Sequence, residues 1–165
     1  MKHPIGDSSN GVTVCVDLIR SKAAAHIAQQ PHLLGLIREA VSKTTVRGPQ
    51  MSIEHDMGRA IGYNFVIPTT EKHTILYARM VHDELYTRFV KNGQPQPTQY
   101  ITIILTRSET GDSYELQDAW IGRVSPPRPG SQHETPASKS YWSTHAHILN
   151  NESLQLRTVT KTCPY

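Results

Sequence analysis

Residues 101–122 read ITIILTR-SETGD-SYELQDAWIG, and this stretch decides the fold class. Both flanks are built from β-branched, aromatic and alternating residues. The polar segment between them contains a glycine and suits a hairpin connection. Alternation on both sides of the turn fixes the register, so Tyr100 to Arg107 is expected to pair antiparallel with Ser113 to Ile121. Trp120 or Ile121 then needs an apolar partner, and the helical stripe Leu33 to Val41 is the candidate.

Working outward, Tyr63 to Ile67, Thr74 to Met80 and Leu85 to Val90 carry the same strand signals. The run from Glu71 to Asn92 could also mark a helix face, since Ile75, Ala78, Leu85 and Phe89 fit that spacing. A hairpin turning at His82–Asp83 is the reading adopted. Upstream, Val12 to Gln30 is rich in helix formers and reads as a helix stopped by Pro31. Leu33, Leu36, Ile37, Ala40 and Val41 form one apolar stripe of a second helix ending near Lys43. The expected class is therefore α+β, with N-terminal helices packed on an antiparallel β-meander of about five strands. The 165 residues, 37% hydrophobic and 19% charged, suit a single domain. Its helical part would span about 12–43 and its sheet part about 63–149, between flexible termini. Residues 125–138 hold four prolines and almost no large apolar side chain, and so read as a long surface loop. Beyond it, YWSTHAHIL (141–149) suits an additional strand or a short helix, and the Thr-rich tail from Asn150 should fray.

Composition excludes several classes. The longest apolar stretches, such as Tyr100 to Leu105, fall far short of the roughly 20 residues that cross a bilayer, so no membrane association is expected. Met1 to Asn10 lacks the apolar core of a secretory signal. Cys15 and Cys163 are too few for a disulfide scaffold and read as free thiols in a reducing compartment, which makes a cytoplasmic location the expectation. A net charge of +3 permits a nucleic-acid partner without demanding one. No phosphate-binding glycine loop, nucleophile elbow or zinc-spaced cysteine pair is present.

A dispersed constellation remains. His55 sits in IEHDMGRAIGY, a segment whose glycines suggest a loop, where an imidazole can transfer protons near neutral pH. A solvated histidine beside Asp56 is the plainer alternative. Arg59 either binds a phosphate or is a solvated charge. Arg79 and Arg88 lie in the apolar runs YARM and YTRFV, where a cation is costly unless paired. Each either meets a carboxylate such as Asp118 or Glu115, or faces a site for an anion. In YWSTHAHIL, His145 and His147 share a face, which would suit a transition metal only if residues such as Asp118, His55 or His133 completed the set. No spacing demands that, and neither metal nor cofactor is expected. The other readings are a catalytic His145 beside Thr144, or a structural histidine. Tyr141 or Trp142 could stack an unpaired base.

The order of elements resembles the layout of small bacterial ribonuclease-toxin domains, the broad group that includes barnase, EndoU, the RNase colicins and RelE. The resemblance covers roughly Ser52 to Leu149: N-terminal helices, a His-bearing loop, then a meander ending in Tyr, Trp, Ser, Thr and His. It implies a metal-independent endoribonuclease with RNA as substrate. It would make His55 the base, Arg79 or Arg88 the phosphate binder, and Thr144 with His145 the C-terminal site pair. A protein partner such as an antitoxin would accompany that reading, with the oligomeric state open. The second histidine of an EndoU pair and its downstream lysine have no unambiguous counterpart. The rival readings are a non-catalytic α+β interaction or ligand-binding module and a His-ligated metalloprotein. The first reading further expects His55, Arg79, Arg88 and His145 to meet in one concave site.

Overall fold

The structure is a computed structural model that describes residues 1–149 and 156–165. The chain divides into two compact units, residues 1–62 with 97–124 and residues 63–96 with 125–165. Among the described residues the elements run, in order, β1 (Lys2–Asp7), β2 (Thr13–Asp17), α1 (Lys22–Gln29), α2 (Leu33–Ser42), β3 (Gln50–Asp56), β4 (Gly62–Asn64), β5 (Val66–Pro68), β6 (Ile75–Met80), β7 (Thr87–Val90), β8 (Gln96–Thr98), β9 (Tyr100–Arg107), β10 (Ser113–Ile121), α3 (Pro136–Thr144), β11 (His145–Ile148) and β12 (Leu156–Thr160). None of the described helices is long and apolar enough to cross a membrane.

In the first unit a five-stranded sheet runs β1-β2-β10-β9-β3. Its centre is the expected hairpin: Tyr114 opposes Arg107 and Ile121 opposes Ile101, with a register shift between Leu116 and Asp118. The turn closes from the Gly111 N–H to the Ser108 carbonyl at 2.9 Å, and Gly111 takes the positive φ of +77° that a side chain would resist. The irregularity in β10 has a partner in the helical layer. The Ser21 hydroxyl donates to the Leu116 carbonyl at 2.7 Å while accepting from the Ala23 N–H, so one side chain caps α1 and ties it to the strand. Ile37, Ala40 and Val41 from α2 join Ile101, Ile103, Leu105, Leu116 and Val14 in one buried core, against which Ile121 packs.

Three expectations need correction here. The helix expected over Val12 to Gln30 is a strand followed by a shorter helix, because Val14 and Val16 alternate into the core and the Asp17 carboxylate turns the chain by accepting from the N–H groups of Ile19 and Arg20. The segment holding His55 is strand β3, paired with β9 from Gln50 to Asp56, with Gly58 beyond its end. The five-strand meander is absent: the strands belong to separate sheets that include parallel pairs, and α3 follows most of them. Tertiary pairing overrode the sequential order that a meander assumes.

The second unit holds a sheet of order β12-β6-β7-β11-β5. The β6–β7 hairpin turns through residues 81–86, opposing Ile75 to Val90 and Tyr77 to Arg88. β11 runs parallel to β7 and antiparallel to β5. Residues 156–160 pair with β6 as a strand, a correction to the frayed tail for that part of it. Alternation gives the sheet two distinct faces. One carries Ile67, Val90 and Ala146 as a small core at one end; a Cβ on Gly93 would stand 2.7 Å from Ile67 and 2.8 Å from Val90, so a side chain there would have to push those two aside. The other face carries Leu76, Ala78 and Phe89. It also receives α3, whose Trp142 stacks on His147 with centroids 5.1 Å apart. The loop before α3 is pinned by several side-chain bonds, among them one between the Ser125 and Tyr141 hydroxyls at 3.3 Å. Trp142 Nε1 donates to the Pro126 carbonyl at 2.9 Å, and Arg128 donates to Asp83, Thr87 and the Leu85 carbonyl.

Candidate functional site

All four residues of β7, Thr87 to Val90, are buried. Strand alternation puts Arg88 on the face shared by Val90, and its side chain is only 9% exposed. One Nη of its guanidinium donates to the Thr69 hydroxyl at 2.8 Å and to the His145 carbonyl at 3.0 Å, while Nε is buried without a hydrogen-bond partner. Among the described residues no carboxylate pairs with it. A guanidinium held this way has lost much of its hydration and gains no counter-charge among the described residues, an arrangement that costs stability.

The topology assembles the rest. β7 and β11 are parallel and β5 is antiparallel to β11, so the starts of β7 and β11 and the end of β5 lie at one end of the sheet. Arg88, His145 and Thr69 meet there. Thr69 is itself fastened by its N–H and its hydroxyl to the Thr144 carbonyl, at 2.7 and 3.1 Å. Across the hairpin Tyr77 opposes Arg88, and the Tyr165 ring meets Tyr77 edge-on at 5.8 Å. Burial and the neighbouring Cys163 raise the Tyr77 pKa against the opposing pull of Arg88, so the phenol stays protonated. Burial, with Tyr77 and Cys163 adding to it, pushes Tyr165 up to about 12. Arg79 lies two residues from Tyr77 on the same face. It donates to the Thr158 hydroxyl at 3.3 Å and lies over the Tyr86 ring at 5.3 Å, and its Nε is also buried without a hydrogen-bond partner.

The imidazole of His145 projects to the α3 side. It stacks on Tyr141 with centroids 4.0 Å apart and planes within 4°. Its Nδ1 is 3.1 Å from the Tyr141 carbonyl and 3.0 Å from the Thr144 hydroxyl. With the proton on Nδ1, the ring donates to that carbonyl and leaves the Nε2 lone pair free to accept a proton. Burial, with a smaller contribution from Arg128, lowers the neighbouring His147 to about 4, so it is neutral at physiological pH.

No family model, no curated protein and no solved structure matches this chain. The geometry therefore carries the functional reading alone.

Of the residues singled out from sequence, Arg88, Thr144 and His145 come together at the sheet end, with Arg79 on the Arg88 face and Tyr141 against His145. Trp142 is buried and occupied by His147 and Pro126. His55 and Arg59 belong to the other unit. His55 lies on β3 opposite Ile101, its Nε2 buried without a hydrogen-bond partner. Arg59 makes a two-pronged ion pair with Glu39, at 2.9 and 2.8 Å, which lowers the Glu39 carboxyl to about 2. The carboxylates considered for Arg79 and Arg88 are engaged within the first unit, Asp118 with His26 at 3.2 Å and Glu115 with Lys2. Among the described residues no cluster of three His, Cys, Asp or Glu side chains suits a metal ion. Sequence reasoning missed Thr69, Tyr77 and Tyr165. Tyr77 alone carried a signal, as the neighbour of Arg79 in a strand with alternating faces.

Proposed function

We propose that the chain acts on RNA phosphodiesters through its second unit, as a metal-independent endoribonuclease. The observation that carries this reading is the buried Arg88, bonded to the main chain of His145 and paired with no carboxylate among the described residues. In this account Arg88 holds the non-bridging oxygens of the scissile phosphate. For the 2′-hydroxyl proton to pass to His145 Nε2 the RNA must bend over the sheet end, because the imidazole lies on the α3 side and Arg88 on the other face. The freed O2′ attacks phosphorus, and the bond to the 5′-oxygen breaks. Tyr77, protonated because burial raises its pKa, delivers the proton to that leaving oxygen. The products are a 2′,3′-cyclic phosphate and a 5′-hydroxyl, and exchange with water restores both protein groups. Arg88 neutralises the charge gathering on the phosphorane.

One observation favours a second reading, a phosphate-binding module without cleavage: the imidazole of His145 projects to the face opposite the Arg88 guanidinium. Incubating the protein with a defined single-stranded RNA in EDTA separates the two. Cleavage leaving 2′,3′-cyclic phosphate ends, abolished by a 2′-O-methyl at the cut position, supports the enzyme. Binding of the same RNA without new ends supports the module.

A further inference from the structure

Two arginines, Arg79 and Arg88, occupy one face of the second unit's sheet, and each keeps a buried Nε without a hydrogen-bond partner. We infer that together they hold two consecutive phosphates of one RNA strand, an inference that rests on the RNA reading above. The placement follows from register. Tyr77 opposes Arg88, and Arg79 is two residues further along β6, so the two arginines are diagonal neighbours with backbones about 7–8 Å apart. Guanidinium stems of that reach can settle on adjoining phosphates.

The partners already bound to these side chains are all neutral. Arg79 has the Thr158 hydroxyl and the Tyr86 ring, and Arg88 has the Thr69 hydroxyl, the His145 carbonyl and the Tyr77 phenol. Neither guanidinium is neutralised among the described residues. Tyrosines alternate with the arginines on this face, Tyr77 opposite Arg88 and Tyr86 beneath Arg79. Both rings are already engaged, Tyr77 buried with Tyr165 edge-on and Tyr86 beneath Arg79, so this face offers its cations and not open aromatic platforms. The ligand class is a single-stranded RNA segment with at least two phosphates, rather than a mononucleotide.

The salt dependence of binding counts phosphates directly. For single strands the slope of log affinity against log salt changes by about 0.7 for each phosphate neutralised. Fluorescence anisotropy of a labelled ten-nucleotide oligouridylate, titrated with the full chain across a salt series, should give slopes shallower by about 0.7 for Arg79→Ala, by about 0.7 for Arg88→Ala and by about 1.4 for the double variant. Arg79→Lys and Arg88→Lys, which keep the charge, should retain the wild-type slope and show that the effect is not a loss of folding. If Arg88→Ala flattens the slope and Arg79→Ala does not, the two-phosphate inference is overturned while the RNA reading stands. If neither alanine variant alters the slope, or the wild-type chain does not bind the RNA, both are overturned.

Discussion

The guanidinium of Arg88 donates to the main-chain carbonyl of His145 at 3.0 Å, joining the start of β7 to the start of β11. This bond places the cation beside the strand end that carries the catalytic candidate. The carbonyl supplies only a partial negative charge, so this bond positions the arginine without neutralising it, and no carboxylate among the described residues does so. It is this distinction that separates Arg88 from Arg59, whose bidentate pair with Glu39 leaves no charge to offer.

The first unit rests on the interlock of α2 with the central strands. Ile37 is fully buried within that core. Ile37→Asp places an unpaired carboxylate there and should cost at least about 4 kcal/mol, enough to unfold a unit of ordinary stability. Circular dichroism melting checks this; a variant with native-like cooperative melting would count against the assigned packing.

The ring of His147 gives a pH dependence whose sign follows from burial. Its folded-state pKa of about 4 lies below the ordinary 6.5, so the unfolded chain binds more protons between those values. Stability should therefore be constant above about pH 6.5 and fall as the pH drops toward 4, by up to about 3 kcal/mol from this group. Urea unfolding at pH 7 and pH 4.5 measures it. His147→Phe, which keeps an aromatic ring against Trp142, should reduce the difference; an equal difference in the variant would assign the acid sensitivity to other groups.

Arg128 ties the proline-rich loop to the β6–β7 turn through Asp83, Thr87 and the Leu85 carbonyl. Burial opposes ionisation of Asp83, yet Arg128 and the Leu85 N–H outweigh it and hold the carboxyl below its usual range. Arg128→Ala should destabilise the second unit by about 1–3 kcal/mol. It should also speed protease cleavage within residues 125–135. Unchanged cleavage would mean that the loop's other bonds, such as Trp142 to Pro126 and Ser125 to Tyr141, hold it without Arg128.

Local pattern carried the sequence reading furthest where neighbours in the chain are neighbours in space. The β9–β10 hairpin, the α2 stripe and the β6–β7 hairpin were all legible for that reason. It failed at residues 13–17, where β-branched residues preceding a strong helix signal form a strand because β10, a hundred residues further along the chain, pairs with them in parallel. The same blindness applied to the site. An arginine in YTRFV announces an energetic cost but not which partner relieves it. Thr69 reaches Arg88 through sheet order, and Tyr165 reaches Tyr77 from beyond the end of β12; no local spacing encodes either.

On the proposed reading, Arg88 is held for an anion at some expense in stability. Arg88→Met tests this most directly, since it keeps an unbranched stem of similar reach and removes the buried charge. Melting temperature and RNA binding and cleavage should be measured on the same preparation. The melting temperature should be unchanged or higher, because replacing a buried, unneutralised cation with an apolar side chain is neutral or favourable, while RNA affinity or cleavage falls about 100-fold or more. A melting temperature lowered by more than about 5 °C, with RNA binding and cleavage unaltered, would make Arg88 a structural prop and contradict the account.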